Sequence, residues 1–185
     1  MRGIDSQREL ALHRLLADGL RAAGYGVFPE QRYPSDRDGS RRSEGRRCDL
    51  VATQGARPLF DERAQLALFR LADPCPLDEA MWIEVKVVAQ FLDGTPNSAW
   101  GGALVAPLLA DVRKLAADDR IRRAALLAVL FTADAAIAEH DLDAWWQLAR
   151  RRALPLGAVH HEQFAIGDRV GNALCTAVLI EVLRP

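Results

Sequence analysis

Glu84 and Lys86 stand two residues apart inside Met81–Ala89, an apolar, β-branched run of strand length. Side chains alternate faces along a strand, so Glu84 and Lys86 share a face with Trp82 and Val88. Met81, Ile83, Val85 and Val87 form the opposite face and read as core. An acid and a base on so apolar a strand are costly unless they are paired or used. Asp49, in a strand predicted over residues 46–53, lies beside Glu84 if the two strands pair. Two carboxylates a few Å apart repel each other unless a cation lies between them. Hard oxygen ligands suit Mg²⁺ or Mn²⁺, and the Val85 carbonyl offers a further oxygen. Lys86 is then placed to orient or deprotonate a metal-bound water, or to stabilise charge on a phosphate. Such a set suits hydrolysis of a phosphodiester. An ordinary edge-strand ion pair is the competing explanation, because exposed pairs are frequent and worth little.

The elements that must position these groups follow from periodicity. Residues 6–23 read as a helix, with Leu12, Leu15, Leu16, Leu20 and Ala23 as its apolar stripe and Gly24 as its stop. Residues 25–33 read as a strand ending at Pro34, and 35–45, without an apolar residue, as a loop. In the strand over 46–53, Cys48, Leu50 and Ala52 share one face and Arg47, Asp49 and Val51 the other. Residues 54–80 form an excursion that holds a helix candidate over 60–72, closed by Pro74 and Pro76. Residues 91–102 are rich in turn formers. A helix is predicted from about Ala106, with Pro107 in its first turn and Leu108, Val112 and Leu115 as its buried stripe. Residues 124–131 are almost wholly apolar, the pattern of a strand covered on both faces. Asp141 is expected to cap a helix running to about Arg152, with Trp145, Leu148 and Ala149 on one side. Two strands over 156–166 and 173–183 close the chain around a turn at 167–172. Helices must cover both faces of the sheet, which predicts an α/β sandwich.

The chain has 185 residues, half of them hydrophobic, and a net charge of −1. This suits one domain over 1–185, with a core about 5–133 and a C-terminal helix and hairpin about 141–185. Near-neutral charge excludes a global field that would drive the chain onto a polyanion or an anionic membrane, so any polyanion must meet a local patch. Cys48, Cys75 and Cys175 show no metal or redox spacing and are expected to be free thiols in a soluble, cytoplasmic protein. Asp5, Arg8 and Glu9 interrupt any signal-peptide-like run, and no apolar run is long enough to span a bilayer.

A first helix bearing a Glu, an Asp on a strand, Glu-x-Lys on the next, then a helix and a strand, together resemble the PD-(D/E)XK nuclease superfamily. The matching residues are Arg47-Cys48-Asp49-Leu50-Val51 and Ile83-Glu84-Val85-Lys86, and the resemblance spans residues 6–132. It implies the restriction-endonuclease-like fold, an α/β/α sandwich with a central mixed sheet. It also implies Mg²⁺ or Mn²⁺ held by Asp49 and Glu84, Lys86 as the catalytic lysine, and a nucleic acid, DNA first, as substrate. Gln90 resembles a glutamine of some branches, and members that act as two-fold dimers make a homodimer an expectation here. Cys48 replaces the name-giving proline, and the long interval from Asp49 to Glu84 makes residues 54–80 an insertion. A non-catalytic nucleic-acid- or protein-binding module of the same fold is the alternative.

Several residues carry two readings. Glu9 is a candidate third carboxylate, or the partner of Ser6 in a capping box. Glu30 competes with it, or is a solvated strand residue. Residues 32–47 hold six Arg against Asp36, Asp38 and Glu44, so Arg41, Arg42, Arg46 and Arg47 are candidate phosphate contacts, or a solvated loop. Asp111 and Lys114 read as an i,i+3 surface pair. Trp145-Trp146 read as core plus interface. His160 and His161, adjacent on a strand, face opposite sides and make a poor metal pair.

Overall fold

A computed structural model describes residues 9–38, 46–61, 73–167 and 171–184. Six strands form one mixed sheet, in the order β1-β2-β5-β8-β10-β9. These are β1 (Gly26–Arg32), β2 (Arg47–Thr53), β5 (Met81–Ala89), β8 (Arg123–Thr132), β9 (Leu156–Ala165) and β10 (Leu174–Val182). Among the described residues the α-helices are α1 (Glu9–Ala22), α2 (Trp100–Ala116) and α3 (Ala135–Arg151). Two short pairs lie beside the sheet: β3 (Leu59–Phe60) parallel to β4 (Cys75–Pro76), and β6 (Phe91–Leu92) antiparallel to β7 (Thr95–Pro96). β1, β2 and β5 form an antiparallel meander, and α2 carries the chain from β5 to its parallel neighbour β8.

The helices divide between the faces. Ala17 of α1 packs with Val27, Leu50, Ile83 and Val85 on one side of the sheet. On the other, Leu104, Leu108, Leu109, Val112 and Leu115 of α2 and Trp145 of α3 pack with Val51, Trp82, Leu126, Leu130 and Ile180. β8 lies between both layers and is buried except at Arg123 and the half-buried Leu127, as a continuous apolar run requires. The buried stripe of α1 is narrower than the periodicity suggests. Leu12 and Ala17 are buried and Leu16 and Leu20 pack against the core, but Leu15 is 56% exposed and Ala23 lies beyond the helix end.

Two helix starts differ from expectation. α2 begins at Trp100, not near Ala106, so Pro107 lies in its interior. Asn97 sets this earlier start: its carboxamide donates to Ala89 O and accepts from Ala99 N, and its carbonyl accepts from Trp100 N. An interior proline costs about 3 kcal/mol. Burying the five apolar side chains of α2, at about 1.5–3 kcal/mol each, outweighs that. α3 begins after Asp134, whose carboxylate accepts from Ile137 N at 2.9 Å, and Asp141 instead accepts from Trp100 Nε1. Within the segment expected to be a loop, Asp93 and Gly94, both at positive φ, close the β6–β7 hairpin. The helix candidate over 60–72 lies largely outside the described residues.

Candidate active site at the parting of two strands

Asp49 occupies a break in the sheet. β2 pairs with β5 through Leu50, Val51 and Ala52 alone, and the strands part beyond Leu50 and Ile83. On its other side β2 pairs with β1 on both flanks of Asp49, at Leu50 and Cys48, but skips Asp49 itself. The residue opposite, Glu30, has φ 53 and bulges out of the ladder without an extra residue, so the register on either side is kept. Asp49 is therefore the residue of β2 with no ladder partner on either side. Its carboxylate fills the place of a strand acceptor: Oδ2 accepts the Val85 N–H at 2.8 Å.

The break also resets the facing of β2. Cys48 packs in the same cluster as Val51 and Trp82, and Asp49 lines the same cavity as Leu50. Strict alternation, which groups Cys48 with Leu50 and Asp49 with Val51, fails at the bulge. Glu84 and Lys86 share the face of Trp82, toward α2, whereas Asp49 opens toward α1. Burial first, and then the charge on Asp49, raise the pKa of Glu84.

On the α1 side lies a cavity of about 360 Å³ lined by His13, Ala17, Glu30, Asp49 and Leu50, among others. One potential ligand atom each from His13, Glu30 and Asp49 lies within 4.8 Å of the others. Among the described residues this is the group of three that could hold a metal ion, and Glu84 is not in it. One nitrogen and two carboxylates suit Mn²⁺ at least as well as Mg²⁺. His13 was not singled out from sequence. Its signal is its place four residues before Ala17, on the flank of the buried stripe of α1.

On the α2 side the charges meet as two crossed pairs. Glu84, 2% exposed, accepts from Tyr33 OH at 2.5 Å and meets Lys114 Nζ at 2.6 Å. Lys114 also donates to Arg47 O at 2.8 Å, so it bridges the strands where their ladder is missing. Lys86 Nζ lies 3.6 Å from Asp111. Asp111 and Lys114 thus engage the base and the acid of β5, and the expected surface pair is replaced. Burial pushes the Glu84 carboxyl up to about 7, against the lowering pull of Lys114 and Tyr33. Burial likewise raises Asp111 above the usual carboxylate range, with Lys86 opposing it. Tyr33, buried against Cys48 and Glu84, is raised far above the ordinary phenol range, first by burial.

The remaining candidates are placed as follows. Arg46 pairs with Asp36 and sits 5.9 Å over the Tyr33 ring. Arg47 Nη1 donates to the carbonyl of Glu30 and so props the bulge. Both are exposed. Arg41, Arg42 and Ser6 lie outside the described residues; Glu9 opens α1, but its side chain is also outside them. Gln90 closes the far end of β5: its Oε1 accepts from Ala133 N, and its backbone bonds Phe131 and Asn97. Val85 contributes its N–H to Asp49. Trp145 is core and Trp146 partly buried beside it. His160 and His161 are exposed on β9. No helix among the described residues is long and apolar enough to cross a membrane. No protein-family model, curated protein or solved structure matches the chain, so the site stands on its own geometry.

Proposed function

We propose that this chain is a divalent-metal-dependent nuclease of the restriction-endonuclease-like fold, hydrolysing phosphodiesters, with DNA as the first substrate to test. The observation that carries the reading is Asp49. It is a carboxylate left without ladder partners at a parting of two strands, with His13 and Glu30 on one side and the acid–base edge of β5 on the other. The order helix, three-strand antiparallel meander, helix, parallel strand supports the fold assignment. Asp49, Glu30 and His13 are the residues to hold Mg²⁺ or Mn²⁺, with Glu84 approaching through the gap. A bound cation would polarise a phosphate oxygen and lower the pKa of a water. Lys86, 28% exposed and 3.6 Å from Asp111, is the cation assigned to the substrate phosphate. Arg46 and Arg47, both exposed, are the residues assigned to the phosphate backbone.

The test is cleavage of single-stranded, duplex and branched DNA with Mg²⁺ or Mn²⁺, comparing wild type with Lys86→Ala and Asp49→Asn. Metal-dependent cutting lost in both variants is expected. Equal activity in Lys86→Ala, or none in the wild type on any substrate, overturns the reading. A second reading, a non-catalytic binding module of the same fold, draws on the mutual neutralisation of Glu84 with Lys114 and Lys86 with Asp111. It predicts nucleic-acid binding that survives both chelation and Asp49→Asn.

A further inference from the structure

β9 ends the sheet. It is ten residues long, Leu-Gly-Ala-Val-His-His-Glu-Gln-Phe-Ala, and no residue in it is buried. A free edge presents unpaired N–H and C=O groups, and edges are normally protected by proline, lysine, a bulge, a short length or a covering element. β9 has no proline and no lysine, its irregularity against β10 is confined to Gly157–Ala158 at its start, and Val159 and Phe164 are 42% and 48% exposed. We propose that this edge is a homodimer interface, in which β9 pairs antiparallel with β9 of a second copy about a two-fold axis through His161.

The register follows from symmetry and charge. A two-fold axis perpendicular to the sheet keeps each face on its own side. Cross-strand partners must then share a face, and the axis must pass through a residue. His160, Glu162 and Phe164 lie opposite Leu179, Ala177 and Cys175 of β10; Val159, His161 and Gln163 lie opposite Ile180, Val178 and Thr176. An axis through Glu162 sets two carboxylates against each other, which is destabilising. An axis through His160 leaves Glu162 facing Ala158. The axis through His161 sets His160 of each copy against Glu162 of the other, twice. It also sets Val159 beside Gln163 and the two His161 side by side, all within the part of β9 that is regular against β10. The imidazole of His160 can hydrogen-bond the carboxylate opposite whether neutral or protonated. The strand is thus self-complementary in this register, and pairing joins two six-stranded sheets into one.

Light scattering on the eluting 185-residue chain is expected to give twice the 20.4 kDa protomer mass at micromolar concentration. Glu162→Lys, which sets a cation against His160, is expected to elute as a folded monomer by circular dichroism. The register is read by cross-linking. Directly opposed residues have Cα atoms about 4.5–5.5 Å apart, within reach of a disulfide. His161→Cys is therefore expected to form a covalent dimer on mild oxidation, and His160→Cys to do so far more slowly. Cys48, Cys75 and Cys175 are buried and give little background. A wild type that stays monomeric overturns the proposal. So does a dimer that persists in folded Glu162→Lys while His161→Cys fails to link, since that places the interface elsewhere. Neither result bears on metal-dependent cleavage, which is assayed separately.

Discussion

Glu84 is a carboxyl whose pKa burial raises from 4.5 to about 7, so folding takes up a proton there between those values. The unfolded chain binds fewer protons than the native one in that window, and stability must fall as pH rises through it. The contribution is fully present below the unfolded value and lost above the folded one. Two and a half units correspond to about 3 kcal/mol at most. Urea unfolding at pH 5 and pH 8 should show this fall in the wild type and a much flatter profile in Glu84→Gln; an unchanged slope would assign the effect to another group. Lys114 and Lys86 should then separate sharply. Lys114→Ala leaves an ionised, buried Glu84 without its cation and is expected to cost about 3–5 kcal/mol above pH 7, and less at pH 5. Lys86→Ala breaks a longer, partly exposed pair and should cost under about 1 kcal/mol, so its loss of activity can be read as chemistry and not as unfolding.

At the scale of elements, the parting of β2 from β5 makes one residue serve two purposes. Asp49 satisfies the Val85 N–H, which in an unbroken sheet a β2 carbonyl would take. Asp49→Asn retains an acceptor of the same shape and should leave the urea midpoint nearly unchanged. Asp49→Ala leaves the buried N–H unpaired and should cost about 1–3 kcal/mol; equal midpoints for the two variants would refute the acceptor role. The sequence shows β5 to its exact ends, because nine apolar or paired residues between turn formers admit few alternatives. It also shows Asp49, Glu84 and Lys86 as the charges to watch. It does not show that Asp49 opens toward α1 and Glu84 toward α2, because the bulge at Glu30 carries no glycine to announce it. Nor does it show His13, Tyr33 or Lys114, which reach the site from α1, the end of β1 and α2 by long-range packing. The missed start of α2 has a similar origin: Pro107 suggests a first turn, and the earlier start depends on Asn97 bonding back to Ala89. The displaced cap of α3 differs, since both Asp134 and Asp141 are good cap residues and only the end of β8 decides between them.

For the whole molecule, His13, Glu30 and Asp49 come from α1, β1 and β2, three elements that otherwise meet through a modest apolar cluster. A cation held by all three would tie the α1 layer to the first half of the sheet. A ligand that binds the native state alone stabilises it by about 2.7 kcal/mol at a hundred times its dissociation constant. Saturating Mn²⁺ should therefore raise the thermal midpoint of the wild type and slow amide exchange in α1 and β1 more than in β9 and β10. Chelation should reverse both effects. His13→Ala removes a ligand from the α1 side without touching the Val85 bond or the Glu84–Lys114 pair. It should abolish the Mn²⁺-dependent slowing in α1. If Mn²⁺ protects α1 equally in His13→Ala, the ion is bound elsewhere. If it protects β5 and α2 instead, Glu84 and Asp111 hold it, and the working side of the gap is the α2 side.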